Sequence, residues 1–324
     1  MSRLVLSVVL AAALANTGSV RAQSYPTKPI TMVVPFAAGG PVDTVGRSVA
    51  ERMKAFLGQP IIIENVSGAT GTIGVGRVAR ASPDGYTLGI GNWSSHVANG
   101  ALFVLPYDLL KDLEPVSLIS SYPNLISVRK TFPADDLKGL IAWLKANPGR
   151  ASQGTAGVGS GGHIAGVLFQ RATGTRYQFI PYRGAGPSMQ DLVAGQIDML
   201  MDGPVTTLPQ LRAGTIKIVA VSARSRMAIA PEIPSVHEAG LPGFEFSNWH
   251  GLWLPKGTPK HIIDKLNAAT VEALADANVH KRLTDIAQEI FPRDQQTPQA
   301  LGSYHKTEIE KWWPVIKTAN IMGQ

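Results

Sequence analysis

The sequence predicts an α/β protein of two lobes. Three observations carry this reading. Short apolar runs alternate with helical patterns along most of the chain, the signature of βαβ units. The 324 residues exceed what one compact core usually holds. Glycine, at 33 residues, is abundant enough to supply many strand–helix turns.

Residues 1–22 stand apart. Arg3 gives a short positive start, residues 4–14 form an apolar run too short for a stable membrane span, and Val20-Arg21-Ala22 ends on a small residue. They are expected to be a secretory signal cleaved before Gln23. No cysteine follows, so no lipoprotein anchor is expected. A strand is expected at Ile30, Met32, Val33 and Val34. Further strands are expected at 61–63, 86–90, 116–119, 125–128, 150–153, 177–180, 199–201 and 216–221. Val45, Val49, Met53 and Phe56 line one helical face, stopped by Gly58. Leu137, Leu140, Ile141 and Leu144 line another, stopped by Asn147-Pro148-Gly149. Ile164, Val167 and Leu168 line a third, stopped by Gly174. Strands alternating with helices imply mostly parallel sheet. Residues 231–259 are rich in proline and glycine and carry Phe244, Phe246, Trp249 and Trp253. Helices then follow, one with Ile262, Ile263, Leu266 and Leu274 on a face and a last one with Trp312 and Trp313. No flexible linker separates the halves. The chain is expected to cross at 122–125 and return at 220–224. Domain 1 would then be residues 23–124 plus 224–324, and domain 2 residues 125–223.

The absence of cysteine excludes disulfides, thiolate catalysis and cysteine-ligated metals. The net charge of +7 falls to +5 without Arg3 and Arg21. This modest field favours small acidic ligands, and the scattered basic residues do not describe a nucleic-acid surface.

Two glycine turns stand out. In "VPFAAGGPVDTVGR" a strand passes through two glycines into a helix expected to start at Asp43–Thr44. Such a turn bares backbone N–H groups and aims a helix N-terminus outward, a geometry suited to an anion. The plainer reading is a tight turn with Asp43 or Thr44 as cap. The second turn, "GTAGVGSGGHIAGVLF", contains Gly157, Gly159 and Gly162 in the dinucleotide spacing G-x-G-x-x-G. The acidic partner expected after the next strand is missing from "YQFIPYRG", and export argues against a nicotinamide cofactor. What remains is a second donor cradle, made of Ser160 and glycine amides. Two cradles on separate βα units imply a cleft that closes on one anionic ligand.

Enzyme signatures are poor. No G-x-S-x-G elbow occurs. Ser127-Val128-Arg129-Lys130 matches S-x-x-K but lies in a strand. The histidines lack paired ligand spacing. No catalytic residue, metal or cofactor is expected. His163 reads as a base or a hydrogen-bonding residue. Asp202 reads as a turn residue, and Ser94 and Ser95 as loop residues, although their places at strand ends make them cleft candidates.

Across residues 25–321 the chain resembles the Bug or TctC-type extracytoplasmic solute receptors of tripartite tricarboxylate transporters. The resemblance rests on "PFAAGGPVDTVGR", "ENVSGATGTIG", "SPDGYTL", "GVGSGGHIAG", "PYRGAGPSMQDLVAGQID", "SARSR", "IPSVHEAGLPGFE" and "WHGLWLPKGTP", in that order. It implies a type II periplasmic-binding-protein fold, two α/β domains around a cleft, in which loops at helix starts hold a ligand carboxylate. Carried onto this sequence, it implies Phe36, Ala37, Ala38, Gly39 and Asp43 on the first loop. On the second it implies Gly157, Gly159, Ser160 and His163. Ser94 and Asp202 fall near the variable end of the cleft. Two departures from the family pattern concern that end: Val42, where threonine is common, and "MLMDGP". The resemblance further implies a periplasmic monomer that delivers a small carboxylate to membrane permease subunits. The alternatives are an exported sensor of the same fold and an exported hydrolase, the latter disfavoured by the lack of nucleophile geometry. N-terminal sequencing of the exported protein should begin at Gln23; a mature chain retaining Met1 would remove the export argument.

Overall fold

The computed structural model describes residues 25–318, so the expected signal segment lies outside it. The chain begins with β1 (Ile30–Val34), α1 (Pro41–Leu57), β2 (Ile61–Asn65), α2 (Thr72–Ala79) and β3 (Thr87–Asn92). A π-helical turn (Ser94–Ala98) and the single-turn α3 (Asn99–Leu102) lead to β4 (Leu113–Pro123). The next elements are β5 (Leu125–Arg129), α4 (Leu137–Ala146), β6 (Ser152–Thr155), α5 (Gly161–Thr173) and β7 (Gln178–Pro181). They continue with α6 (Ala185–Val193), β8 (Met199–Asp202), α7 (Pro204–Arg212) and β9 (Ile216–Val221). The last are β10 (Ser247–Pro255), α8 (Lys260–Ala275), α9 (Ala277–Asp285), β11 (Glu289–Ile290) and α10 (Pro298–Thr318). One sheet has six strands in the order β11-β4-β10-β3-β1-β2, the other five in the order β7-β6-β8-β5-β9.

The sheets are mixed rather than mostly parallel. β1 runs parallel to β2 and β3, and β6 to β7 and β8. β10 lies antiparallel between β3 and β4, and β5 antiparallel between β8 and β9. The reason is topological: β5 and β10 are the strands laid down directly after the chain changes sheets, and each enters against the grain of its neighbours. β10 falls within the proline- and glycine-rich stretch to which no strand was assigned.

The two passages between sheets lie side by side. Asn124 N donates to Ser222 Oγ at 3.0 Å, and Ser222 N donates back to Asn124 O at 2.8 Å. Phe246 N donates to Ser222 O at 3.0 Å, and Asn248 Nδ2 to Asn124 Oδ1 at 2.9 Å. Residues just past the expected return at 224 still cling to the second sheet: Met227, Ala230 and Ile233 pack with Leu125, Leu208 and Val221.

Alternation along the first sheet separates two apolar layers. Ile30, Met32, Leu88, Ile90 and Leu252 face α1 and α8, meeting Val45, Val49, Met53 and Leu266. Phe56 was expected on that face but is 49% exposed; Leu57, one residue on, completes the stripe. Val33, Leu118 and Trp253 face the other way, toward α2 and α10. This second layer continues into the other lobe through Phe246, 5.0 Å edge-on from Trp93, and Phe244, 5.5 Å from Phe169.

Four buried histidines belong to this framework. His96 stacks on Trp253 at 3.7 Å, and its carbonyl meets His305 Nε2. Burial pushes His250 down to about 3 and His305 and His163 down to about 4, and holds His96 well below the usual range. The unfolded chain therefore takes up protons first as pH falls below about 6.5, so stability should drop between there and pH 4, each group contributing up to about 1.4 kcal/mol per pH unit. Asp202, which burial pushes up to about 6, acts with the opposite sign over the window from its unfolded value to about 6, as one group against four. Chemical denaturation at pH 7 and pH 5 should show a lower midpoint at pH 5. Equal midpoints would mean that these histidines are not buried neutral.

Candidate functional site

The first glycine turn is set by backbone geometry. Gly39 has φ +82°, a conformation that side-chain-bearing residues avoid. Gly40 caps α1 in extended conformation and Pro41 takes the first helical position, where a missing N–H costs nothing. The helix thus starts at Pro41, not at Asp43–Thr44, and has no side-chain cap. Asp43 instead braces the turn from below. It accepts from Gly39 N at 3.0 Å, Arg47 Nε at 2.9 Å and Asn65 Nδ2 at 2.9 Å, and Asn65 Nδ2 also donates to Phe36 O at 3.0 Å. Burial pushes the Asp43 carboxyl up, but Arg47, Gly39 and Asn65 together outweigh it and hold it below the usual range.

The second turn is built on the same plan with a side-chain cap. Gly157 (φ +127°) and Gly159 (φ +81°) bend the chain after β6. Ser160 caps α5, its Oγ accepting from His163 N at 3.3 Å. His163 Nδ1 accepts from Gly159 N at 3.0 Å, and the ring sits 4.6 Å edge-on to Phe179. Because burial keeps this imidazole neutral, Nδ1 has a free lone pair for the amide. His163 is therefore committed to the turn. Among the described residues no ring nitrogen hydrogen-bonds to Ser160 Oγ, the contact that would activate it as a nucleophile.

The lobes meet across these turns. Gly161 N donates to Ser94 Oγ at 2.7 Å, and Thr70 Oγ1 donates to Val158 O. Thr70 has φ +51° and is further held by Asn99 Nδ2, which donates to its carbonyl at 3.0 Å. A Cβ on Gly159 would come within 2.3 Å of Leu102, and one on Gly157 within 2.8 Å of Thr70 Oγ1, so only glycine permits this approach.

Between the turns lies a slot of about 40 Å3. It opens at the carboxyl ends of β1, β3, β6 and β8, where ligands of α/β sheets bind. Phe36, Ala37, Ser94, Ser160 and Asp202 line it. Ala38, Gly39, Asp43, Gly157, Gly159 and His163 do not; they shape the turns. The first turns of three helices reach the slot, through Pro41 and Val42 of α1, Gly161 and Gly162 of α5, and Ala185 of α6. Pro41 has no N–H and Gly161 N is taken by Ser94 Oγ, so the first-turn amides of Val42, Gly162 and Ala185 give the walls their positive partial charge. Among the described residues no lysine, arginine or histidine lines it, and Asp202 is the one carboxylate that does.

Tyr122, Asn92 and Asn248 also line the slot and were missed by sequence reasoning. Tyr122 and Asn248 carry no local signal, because they reach the site only through the crossing. Thr70 stood in the quoted "SGATG" turn, but nothing in that string announces its contact with the other lobe. A wider groove of about 600 Å3 between α1 and α9 is a charged surface, with Arg52 paired to Asp276 at 2.9 Å and Arg282 to Glu51 at 2.7 Å. Among the described residues no group of three His, Asp or Glu is placed to hold a metal, and no helix is long and apolar enough to cross a membrane.

Two α/β lobes around a slot lined by helix N-termini define a solute-binding protein of the type II periplasmic-binding-protein fold. The chain belongs to the tripartite tricarboxylate transporter receptor family, TctC, whose sequence profile matches residues 45–321. It is similar to the periplasmic binding protein BugD, with a TM-score of 0.89 and 37% identity over 92% of this chain and 99% of that one. It is also similar to MatC from Rhodopseudomonas palustris with bound malate, with a TM-score of 0.87 and 40% identity over 90% of this chain and 100% of that one. A third structure, R. palustris Rpa4515 with adipate, gives a TM-score of 0.88 and 34% identity over 92% and 99% of the two chains. The family and fold are those of binding proteins rather than enzymes.

The bracing role of Asp43 is open to test. Asp43→Ala strands three donors, one of them a guanidinium, and should cost about 1–3 kcal/mol in denaturant unfolding. Full stability with reduced ligand affinity would place Asp43 at the ligand instead. Ser160→Ala also loses a helix cap, at about 0.5–2 kcal/mol, so its effect on affinity must be read against its melting temperature.

Proposed function

We propose that this protein captures a small carboxylate-bearing solute in the periplasm and delivers it, as a monomer, to the membrane permease subunits of a tripartite tricarboxylate-type transporter. The observation that carries the reading is the slot itself: three helix N-termini converge on it, and among the described residues no cationic side chain enters it. A carboxylate bound there would be held by backbone amides, with the Ser94 and Ser160 hydroxyls in reach. The bound malate and adipate of the two Rhodopseudomonas proteins support the same ligand class. On this reading Ala38, Gly39, Asp43, Gly157, Gly159 and His163 serve the ligand through the shape of the turns, and Phe36, Ala37, Ser94, Ser160 and Asp202 by contact. The lobes divide at residue 125. The return is better drawn at Ser247 than at 224, because Met227, Ala230 and Ile233 pack on the second sheet.

A thermal-shift screen tests the ligand class. A true ligand at a hundredfold excess over Kd should stabilise the protein by about 2.7 kcal/mol. Stabilisation is expected from members of a panel of mono-, di- and tricarboxylates. Stabilisation by neutral sugars or cations alone would overturn the assignment.

A further inference from the structure

The second glycine turn is held from both lobes. Its four residues, 157–160, are closed by Ser160 N, which donates to Gly157 O at 3.0 Å. The third, Gly159, has φ +81°, and Val158 before it lies outside the left-handed region. This is the type II form, which favours glycine at the third place. Rotating the central peptide by about 180° gives the type I form, and glycine accepts the φ of either. Two hydrogen bonds decide between them. The N–H of the Val158–Gly159 peptide donates to His163 Nδ1 at 3.0 Å, within the same lobe. Its carbonyl accepts from Thr70 Oγ1, which belongs to the other lobe. A rotated peptide would make neither bond. Further along, the start of α5 is fixed by packing: a Cβ on Gly161 would come within 2.5 Å of Asn248, and one on Gly162 would strike the Met201 carbonyl.

Thr70 is brought to this place at a cost. It sits in the 3-10 turn Ala69–Gly71, between β2 and α2, with φ +51°, a conformation unfavourable to a β-branched residue. Its surroundings leave it no alternative. Asn99 Nδ2 donates to its carbonyl at 3.0 Å, and Gly71 N donates to Gly68 O at 2.9 Å. A Cβ on Gly71 would lie 3.2 Å from Pro35 and from Ser95, and 3.3 Å from Phe36. The 3-10 turn thus rests on the first glycine turn and on the π-helical turn, and it reaches the second glycine turn with one hydroxyl. Thr70 is buried and does not line the slot, whereas Ala156 and Ser160, on either side of the bend, do. It therefore touches the outside of a turn whose inside faces the slot.

We infer that Thr70 is a positioning residue for ligand capture: from the first lobe it holds the second glycine turn in the type II form, so that Ser160 and the amides beyond it are in place when a ligand arrives. This rests on the reading of the slot as a carboxylate site and adds to it. Without the hydroxyl, His163 alone restrains the peptide, and the rotated form gains population. Affinity then falls by the fraction of molecules that are out of shape.

Two variants of the full mature chain test this. Thr70→Ala removes the donor and also takes a branched side chain out of left-handed backbone, so the fold is not expected to weaken. Thr70→Ser keeps the donor. In amide hydrogen exchange followed by NMR, without added ligand, the Gly159 amide should exchange about tenfold faster in Thr70→Ala, with core amides of β1 and β5 unchanged and Thr70→Ser restoring the wild-type rate. Unchanged exchange at Gly159, or a rise shared by all core amides, overturns the positioning role. Calorimetry with succinate, adipate and citrate is the second arm. Whichever of them the wild type binds should bind Thr70→Ala about two- to tenfold more weakly and Thr70→Ser as before. Equal affinity for Thr70→Ala overturns the link to capture and leaves the carboxylate reading standing. A wild type that binds none of the three, nor any carboxylate in the thermal screen, removes the carboxylate reading, and the exchange of Gly159 alone then decides the role of Thr70.

Discussion

The cleft depends on how Asn124 and Ser222–Phe246 pass one another. Each passage alone would be a single strand with free torsions. Hydrogen-bonded side by side, they permit bending and resist sliding or twisting, which keeps one lobe in register over the other. The same crossing forces β5 and β10 into their sheets in the antiparallel sense. With those strands placed, the carboxyl ends of β1, β3, β6 and β8 all open on one crevice. Tyr122 and Asn248 are cleft residues because of where the crossing lies, not because of any motif around them.

The glycine turns answer to a second constraint, close approach. Gly157 and Gly159 accommodate a neighbouring lobe at distances no Cβ would allow. Thr70 meets them in a left-handed conformation that costs a non-glycine residue of order 1–3 kcal/mol, and its hydrogen bonds to Val158 and Asn99 hold it there. The charged braces stay outside the slot. Asp43 and Arg47 neutralise one another beneath the first turn, with Asn65 donating to the carboxylate, so the walls owe their positive character to main-chain dipoles rather than to a guanidinium or an ammonium.

Much of this was legible in the chain. Strand positions followed from apolar runs, and β9 falls where 216–221 was expected. Gly58 and Gly174 end their helices in left-handed conformations, as glycine at a helix end implies. The order of quoted segments pointed to the family and, through it, to the fold. Other features were illegible for physical reasons. A strand such as β10, buried on both faces and broken by glycine and tryptophan, shows no alternation. Strand sense depends on where the chain changes sheets, and no local pattern records that. Asp43 sits at a helix start in the sequence, where capping is the ordinary reading. Its actual role depends on Asn65, a strand away, and on where Gly40 lets the helix begin. His163 read as a base or a hydrogen-bonding residue beside a cradle, and its bond from Gly159 N appears only when the turn folds back over it.

The proposed clamp of main-chain amides has an evolutionary side. Every residue but proline carries the same N–H, so substitutions along the turns leave those donors in place provided the glycines that shape the bend remain. The side chains elsewhere on the slot are free to drift. On the proposed reading, one scaffold can then be retuned from solute to solute by changing a few residues of the slot, such as Tyr122 and Asn248, without rebuilding the turns. Descendants of a single ancestral receptor would diverge in diet while sharing one grip.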